Sequence, residues 1–235
     1  MTLNEVMAFL EAHGCEKTKA TYMKHGAHEP LFGVKAGDLK KVQKKIKKDH
    51  ALSLALYASG NSDAMYLASL IADEKQITEE GLGAWVNAAY WYYLSEFAVP
   101  WVAAESPFGR ALALAWMERP EEGVAAAGWC TYSSLMAVTK DEDLDLDEIR
   151  RLLARVGATI TEQQNRVRHV MNAFVIAVAN YVAPLLDEAR AVAVKIGVVY
   201  VDMGGTACKV PLATQYIDKA VDRGRVGKKR KGTRC

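Results

Sequence analysis

Apolar residues recur at intervals of three and four along almost the entire chain. The pattern is seen at Val6, Phe9 and Leu10 near the start, and again between Leu146 and Val156. This spacing brings apolar side chains onto one face of an α-helix, whereas a half-buried strand would alternate apolar and polar residues. Polar stretches such as "YASGNSD" and "TKDEDLDLDE" interrupt the pattern. The sequence therefore predicts an all-α protein of about eleven helices, each of about 10 to 19 residues.

The segment "LALYASGNSDAMYLASLIAD" is typical of two helices joined by a short turn. Many helices of similar length with short connections indicate a solenoid, in which each helix pair buries its apolar face against the next pair. We predict a single curved solenoid domain over residues 1–222, an α-α superhelix of HEAT-like or armadillo-like repeats, followed by a basic C-terminal tail at 223–235. A compact helix bundle is the structural alternative. The run "VVYVD" at 198–202 is too short to form a sheet, and we expect an extended linker or a small ribbon there.

Composition excludes several classes of protein. Hydrophobic residues make up 51% of the 235 positions, which is enough for a substantial core. Polar residues such as Asn172 and Glu96 interrupt the longest apolar stretches, so a transmembrane helix is not expected, and the acidic residues near the N-terminus do not fit a secretory signal. The four cysteines form no CxxC pair and accompany no histidine cluster, which argues against a disulfide framework or a zinc site. We expect a cytoplasmic monomer without metal, cofactor or membrane association.

The formal net charge of +2 hides an uneven distribution of charge. Residues 1–50 contain ten lysines and six acids, and residues 223–235 contain seven lysines or arginines and no acid. The segment between them is acidic, with 13 basic and 22 acidic side chains. Basic patches at both ends of the chain suit a polyanionic partner.

The two basic segments supply candidate contacts to such a partner. In "GDLKKVQKKIKKDH", positions 39, 42 and 46 form the buried stripe of a helix, and lysines cover the exposed arc. A solvated lysine face is the alternative for this helix. The tail "RGRVGKKRKGTRC" has no acid to offset the mutual repulsion of its cations, which phosphate contacts would relieve. The candidate anion-binding residues of these segments are Lys40, Lys44, Lys48, Lys228, Lys229, Arg230 and Lys231.

A third segment, "NRVRHVMNAFVIAVANY", carries polar residues on a helix that is otherwise apolar. Arg168, His169 and Asn172 point away from its apolar face. Asn172 lies within an apolar run, so it either satisfies a backbone group in the core or lines a polar groove. Together with Arg166, these residues form a further candidate anion-binding group.

Residues 88–101, "AAYWYYLSEFAVPW", form an aromatic and apolar run with one carboxylate, Glu96, in the middle. Such a run is either an ordinary buried helix or the wall of a site that uses the carboxylate. We expect Tyr93 and Phe97 to belong to the core. Trp91 is the candidate for a residue that lines a groove.

Four blocks of sequence together carry a resemblance to a known family. They are "YMKHGAHEPLFGVKAGDLKKVQKKIKK", "LALYASGNSDAMYLASLIAD", "NRVRHVMNAFVIAVANYV" and "KIGVVYVDMGGTACKVPLATQYIDKA". In their order and spacing the chain resembles the HEAT-like-repeat DNA alkylation repair family, which contains the AlkD-type alkylpurine DNA glycosylases. The resemblance implies an all-helical solenoid whose concave basic face grips duplex DNA. It also implies excision of cationic N3- or N7-alkylated purines, in which a carboxylate stabilises the oxocarbenium-like sugar and indole rings hold the cation.

The resemblance also places the family's active site on this chain. Active members carry a Trp-Asp-x-x-Asp motif on a central helix, and the last Asp is the catalytic carboxylate. Trp91 keeps the aromatic residue, Tyr92 replaces the first Asp, and Ser95 stands where the catalytic Asp is expected. Glu96 is one residue further on, and one helical step turns a side chain by about 100°, away from the groove unless the helix is re-phased. Glu96 is therefore a weak candidate for the missing acid.

Two further family elements are missing. The family's catalytic Arg is expected on the helix near residues 120–139, which contain no Lys, Arg or His. A further family Trp is expected on the helix that begins near Asn165, which has none. Trp91, Tyr92, Arg166, Arg168, His169 and Asn172 remain as candidate DNA contacts alongside the basic ends. The resemblance thus implies DNA binding with weak or lost glycosylase activity.

Three functional hypotheses follow from these residues. In the first, the protein binds damaged, bent or branched duplex DNA through shape and backbone charge rather than sequence. In the second, it is an active alkylpurine glycosylase that uses Glu96 or a group of the substrate. In the third, it is a helical-repeat scaffold that binds another protein through its acidic middle and aromatic groove.

Overall fold

The computed structural model describes residues 1–234, and every regular element within them is a helix, as the apolar spacing predicted. The thirteen α-helices of this part of the chain are α1 (Leu3–Ala12), α2 (Glu16–Lys24), α3 (Ala36–Ile46), α4 (His50–Ala58), α5 (Ser62–Ile71), α6 (Glu79–Ala88), α7 (Val99–Glu105), α8 (Gly109–Met117), α9 (Glu122–Val138), α10 (Leu146–Thr159), α11 (Asn165–Tyr181), α12 (Leu186–Ile196) and α13 (Ala213–Asp222). A π-helix, Leu94–Ala98, leads directly into α7.

Successive helix pairs stack into an α-α superhelix, which confirms the predicted architecture. An inner row is formed by α5, α7, α9, α11 and α13, each packed against the next member of the row or against the π-helix beside it. The helices α4, α6, α8, α10 and α12 pack on the outer side of this row. Residues of two adjoining hydrophobic clusters fill the interior, one mainly from α1 to α7 and one mainly from α9 to α13.

The pair α4 and α5 shows how the sequence produces one repeat. Gly60 has a φ of +69°, which glycine adopts readily, and it ends the first helix. Asn61 then caps α5, because its side-chain oxygen accepts hydrogen bonds from the backbone N–H groups of Asp63 and Ala64, at 3.1 and 3.2 Å. All ten residues of α5 are buried. The predicted helix–turn–helix unit at this segment is confirmed.

The long inner helices α9 and α11 carry the largest buried side chains of the second cluster. Trp129 of α9 and Phe174 of α11 are almost completely buried, with ring centroids 5.0 Å apart in an edge-to-face arrangement. Within residues 1–234 no single helix is both long and apolar enough to cross a membrane. In this part of the chain, α11 and the following helical segment Ala183–Ile196 are together long and apolar enough, but the two are bent by 118° relative to each other.

Residues 197–212, which join α12 to α13, contain no strand. Of the two alternatives for residues 198–202, the structure shows a linker and not a ribbon, and Asn165 holds this linker at one point. The Asn165 side chain donates to the backbone carbonyl of Asp202 at 2.8 Å and accepts from its N–H at 2.7 Å. This pair of bonds fixes the loop beside the first turn of α11.

The basic tail is folded onto the superhelix. We call residues 223–234 the strap. It crosses the inner helices: the N–H of Gly227 donates to Asn180 near the C-terminal end of α11, the N–H of Arg230 donates to Ala137 near that of α9, and the hydroxyl of Thr233 donates to Trp101 within α7. Helix C-termini carry partial negative charge and unpaired carbonyl groups, so a cationic segment is stabilised there.

Acidic side chains of the body also pair with the strap. Lys229 lies 2.7 Å from Asp141 and donates to the carbonyl of Met136 at 3.0 Å. Arg234 pairs with Glu74 at 3.1 Å, at the far end of the strap. The sequence suggested that the tail has no acid to offset its charge, but acids distant in sequence lie beside it in the fold.

Candidate nucleic-acid interface

A pocket of about 280 Å³ lies at the N-terminal ends of α9 and α11, whereas the strap crosses these two helices at their C-terminal ends. The connection between α6 and the π-helix forms one wall, and the end of α2 forms another. The pocket is lined by His25, Gly26, Ala89, Tyr90, Trp91, Tyr92, Ser95, Glu122, Gly123 and Arg166. The aromatic run of the sequence therefore does line a pocket, at the position where the family resemblance expects an active site.

The π-helix changes which residues of this run face the pocket. The N–H of Val99 donates to the carbonyl of Leu94, five residues earlier, where an α-helix would use a carbonyl four residues earlier. The wider turn alters the phase of the helix that follows. This is the re-phasing under which the sequence allowed Glu96 a role, and Glu96 does turn toward the pocket's arginine.

Glu96 and Arg166 form a buried, two-pronged ion pair. The guanidinium donates to the two carboxylate oxygens at 2.7 and 2.6 Å, and the Glu96 side chain is only 3% exposed. Burial raises the pKa of the Glu96 carboxyl, and the Arg166 guanidinium opposes that shift. The Arg166 guanidinium also lies over the Tyr92 ring, 4.6 Å from its centroid. The pocket's guanidinium thus comes from α11. The helix on which the family's arginine was expected, α9, carries no basic residue.

His169 lies one turn after Arg166 and completes this group, but not as a cation. Its Nδ1 is 3.7 Å from Glu96 Oε2 and 3.4 Å from Arg166 Nη2. Burial and the neighbouring Arg166 lower the pKa of His169 to about 4, so its imidazole is neutral at pH 7. His169 stays a predicted DNA contact, and the structure places it beside Arg166 as a neutral ring.

Trp91 lies mostly beneath the pocket. It is 5% exposed, and its indole N–H donates to the Ser62 hydroxyl at 2.9 Å. Tyr22 and Tyr93 pack on it, with ring centroids 5.6 and 5.2 Å away. The indole thus contributes an edge to the pocket floor, and its face is covered by core aromatics. Tyr92 is half-buried and forms more of the wall.

Ser95, which stands where the family's catalytic Asp is expected, is also almost buried. It is 3% exposed, and its hydroxyl donates to the carbonyl of Trp91 at a long 3.4 Å. The first turn of α9 packs beside Ser95, so that a Cβ atom added at Gly123 would be in van der Waals contact with the Ser95 side chain. No acid occupies this position.

The remaining polar residues of α11 do not join the pocket. Arg168 is two residues from Arg166, about 200° around the helix, and it lines a separate small cleft with Ile160 and Tyr200. Asn172 is fully buried and donates to the carbonyl of Pro211 at 2.8 Å. Of the two alternatives that the sequence left open for Asn172, the structure shows the buried one. Arg166 and His169 are brought together, whereas Arg168 and Asn172 are not.

The predicted contacts on α3 divide into two groups. Lys40 and Lys44 are exposed and have no carboxylate within ion-pair distance in the part of the chain that is described. Lys48, just after the helix, pairs with Glu74 at 2.6 Å. Because Glu74 also pairs with Arg234, it links the end of the lysine-rich segment to the end of the strap.

The four predicted contacts in the strap divide in the same way. Lys229 is committed to Asp141 and to a helix carbonyl, which makes it a structural residue. Lys228 and Arg230 are exposed and line a second cleft beside α13. Lys231 is exposed.

Glu122 and His25 are among the pocket residues that sequence reasoning missed. Glu122 begins α9, and its carboxylate accepts a hydrogen bond from the backbone N–H of Arg166 at 2.7 Å. An acid in the first turn of a helix is common and gives no signal of a site. His25, at the end of α2, approaches Tyr92 with ring centroids 5.8 Å apart. Within residues 1–234 no group of three or more His, Cys, Asp or Glu side chains is arranged to hold a metal ion.

Comparisons with known proteins agree with this architecture. Residues 6–193 match the model of a family described as DNA alkylation repair enzyme. An uncharacterized protein of Listeria monocytogenes is 33% identical over 230 residues, which cover 95% of this chain and 99% of the relative. An uncharacterized protein of Listeria innocua is 32% identical over 230 residues, again 95% of this chain and 99% of the relative.

A solved structure is similar over 100% of both chains, with a TM-score of 0.92 and 39% sequence identity. It represents a new family of proteins related to the HEAT-like repeat DNA glycosylases with affinity for branched DNA structures. The helical pairs, the pocket on the inner helices and the matched family model lead to one assignment. This chain belongs to the DNA alkylation repair enzyme family and has its HEAT-like repeat fold.

Proposed function

We propose that the protein binds branched or otherwise structured duplex DNA, recognises it through shape and phosphate charge, and has weak or no base-excision activity. The observation that carries the DNA-binding part is the similarity over the full chain to a solved protein with affinity for branched DNA, at 39% identity. The unpaired Lys40 and Lys44 on α3 supply exposed cations of the kind that phosphate contacts require.

The proposal of weak excision rests on the pocket's carboxylates. Breaking the bond between base and sugar builds positive charge on the sugar, which a free carboxylate must face. Both oxygens of Glu96 are occupied by Arg166, and its side chain is buried. Glu122 accepts the Arg166 N–H, and Ser95 offers only a neutral, nearly buried hydroxyl. Each acid of the pocket is thus already bonded to α11.

Binding is tested by fluorescence anisotropy with a four-way junction and a linear duplex of the same arm sequences. We expect tighter binding to the junction, little dependence on sequence, and a log–log plot of affinity against salt concentration with a clearly negative slope. Equal affinity for both DNAs at every salt concentration would contradict recognition of branching. Absence of binding to either DNA would contradict the proposal as a whole.

Excision of alkylated purines is the second candidate function, because Glu122 lines the pocket and Glu96 is bonded to Arg166, which also lines it. Release of N7-methylguanine from duplex DNA decides between the two. We expect the rate to equal spontaneous depurination within error. A faster rate that is lost in Glu96→Gln or Glu122→Gln would establish catalysis and identify its carboxylate.

A further inference from the structure

A second cleft, of about 520 Å³, lies at the other edge of the superhelix. It is formed where the strap leaves α13 and crosses the C-terminal end of α11. We call it the strap cleft. It is lined by Asn180, Tyr181, Tyr216, Lys219, Ala220, Arg223, Arg225, Lys228 and Arg230. Five of these nine residues are cationic and none is acidic.

Three cations of the strap cleft have no paired acid in the described part of the chain. Arg223, Arg225 and Lys228 are exposed, and no carboxylate lies within ion-pair distance of them among residues 1–234. Lys219 lies over the Tyr216 ring, with its Nζ 5.1 Å from the ring centroid. Asp218, on the same helix, pairs with Arg190 at 2.9 Å and does not line the cleft.

The backbone holds these cations in place. The strap turns back at Gly224 and Gly227, both with positive φ. The N–H of Arg225 donates to the carbonyl of Ala220 at 2.9 Å, and the N–H of Gly227 donates to that of Asn180 at 2.9 Å. The cleft is therefore built by a folded segment, and binding an anion there would not require a disordered tail to become ordered.

We infer that the strap cleft binds the phosphate backbone of a second DNA arm while a first arm occupies the face that carries the pocket. This inference rests on the proposed function, and it names the part of the protein that would distinguish branched from linear DNA. Tyr216, which is 48% exposed, offers an aromatic ring beside the cations for contact with a sugar or an unpaired base.

The spacing of the two sites fits two arms. Arg166 and Tyr181 lie 15 residues apart on α11, about 22 Å along the helix at about 1.5 Å per residue. That distance corresponds to about six phosphate steps on one strand. The two sites also lie at opposite ends of the inner helices. Two arms that leave a branch point in different directions can therefore contact one site each.

The test replaces three cleft cations with neutral residues in the variant Arg223→Gln/Arg225→Gln/Lys228→Gln. A control of equal charge loss is Lys17→Gln/Lys75→Gln/Arg151→Gln, which changes exposed cations without ion pairs on three separate helices or turns. Affinities for a four-way junction and for a linear duplex are measured for both variants over a series of salt concentrations.

We expect the cleft variant to bind the junction about tenfold more weakly or worse, and its salt slope to become shallower by about 2 to 3, since each lost phosphate contact removes about 0.9. Its affinity for the linear duplex should change less than threefold, as should both affinities of the control. An unchanged junction affinity overturns the inference, and so does an equal loss for both DNAs. Failure of wild-type protein to bind either DNA is a separate result, which would remove the proposed function.

Discussion

The pocket and the strap cleft are two arginine-containing sites at opposite ends of the inner helices, and they treat charge in opposite ways. In the pocket, Arg166 is matched by a buried carboxylate and covered by an aromatic ring. In the strap cleft, five cations face solvent with no acid in the lining. A neutralised arginine contributes shape and rigidity, whereas uncompensated cations attract a polyanion. The comparison separates the site that family resemblance indicates from the site that charge indicates.

The largest effect is expected from breaking the pocket's ion pair. Arg166→Ala leaves Glu96 buried without its partner, so the free energy of unfolding should fall by about 3 to 5 kcal/mol. Arg110 makes the same two-pronged contact with Glu148, both bonds at 2.8 Å, but its side chain is 54% exposed. Arg110→Ala is therefore a matched control with a smaller expected loss, because removal of an exposed guanidinium opens Glu148 to water and the Tyr132 hydroxyl still donates to it at 2.6 Å. Urea unfolding at pH 7 measures both.

Equal losses in these two variants would contradict the view that the pocket pair is distinguished by its burial. A loss below about 1 kcal/mol in Arg166→Ala would also contradict it, since an exposed ion pair contributes no more than that.

The next effect concerns pH and the neutral His169. Its pKa is about 4 in the folded protein and about 6.5 in an unfolded chain, so the unfolded state binds more protons between these values. Stability from this group is complete above pH 6.5 and is lost as the pH falls toward 4, by at most about 3 kcal/mol. His169→Asn should lack this loss. The difference in unfolding free energy between wild type and variant, measured from pH 7.5 to 4.5, isolates His169, since Glu96 and Arg166 are common to both.

A pH-independent difference between the two proteins would show that His169 has the same pKa in the folded and unfolded states, so that its folded imidazole is protonated below about pH 6.5. The pocket would then carry an uncompensated cation, and its contrast with the strap cleft would weaken.

The fold could be predicted from the sequence because it depends on local patterns. Apolar spacing located the helices, and the turn chemistry of Gly60 and Asn61 marked the repeat of α4 and α5. Each signal lies within a few residues, and the physical interaction that it reports is local as well. The stacking of pairs follows once each helix has one apolar face.

The pocket could not be predicted in the same way. Glu96 and Arg166 are 70 residues apart, and Glu96 lies within a π-helix, where the rule of 100° per residue does not hold. Asn172 shows the same limit, since its partner, the carbonyl of Pro211, is 39 residues away. Periodicity gives the direction of a side chain but not its distant partner.

The packing of the strap could not be predicted for a related reason. Seven cations without an acid are typical of an exposed, mobile tail. The acceptors that hold it include the carbonyls of Asn180 and Ala137, which are backbone groups near helix ends and have no signature in the sequence. Helix C-termini compensate part of its charge, and three cations without an ion pair to residues 1–234, Arg223, Arg225 and Lys228, line the strap cleft.

A smaller effect tests whether the strap is held as firmly as the pocket. Thr233 is 1% exposed, and its hydroxyl donates to the carbonyl of Trp101 at 2.8 Å. Thr233→Val keeps the volume and removes the hydroxyl, so we expect a loss of about 1 kcal/mol. Native-state hydrogen exchange should show protected amides at Arg230 and Thr233 in wild type and faster exchange in the variant. Fast exchange in wild type would contradict a folded strap.

The smallest effect on stability is expected in the strap cleft, where Arg223, Arg225 and Lys228 make no ion pair with residues 1–234 that substitution could break. The variant Arg223→Gln/Arg225→Gln/Lys228→Gln should unfold within about 0.5 kcal/mol of wild type, and at low salt it should be slightly more stable because mutual repulsion is reduced. That gain should disappear near 1 M salt, where the screening length falls to about 3 Å. Urea unfolding at several salt concentrations measures both quantities. A loss above about 1.5 kcal/mol would show that these side chains hold the strap in place. In that case the cleft's cations would already be engaged within the protein, as Arg166 is in the pocket. Cations whose removal does not destabilise the fold are available to an external phosphate.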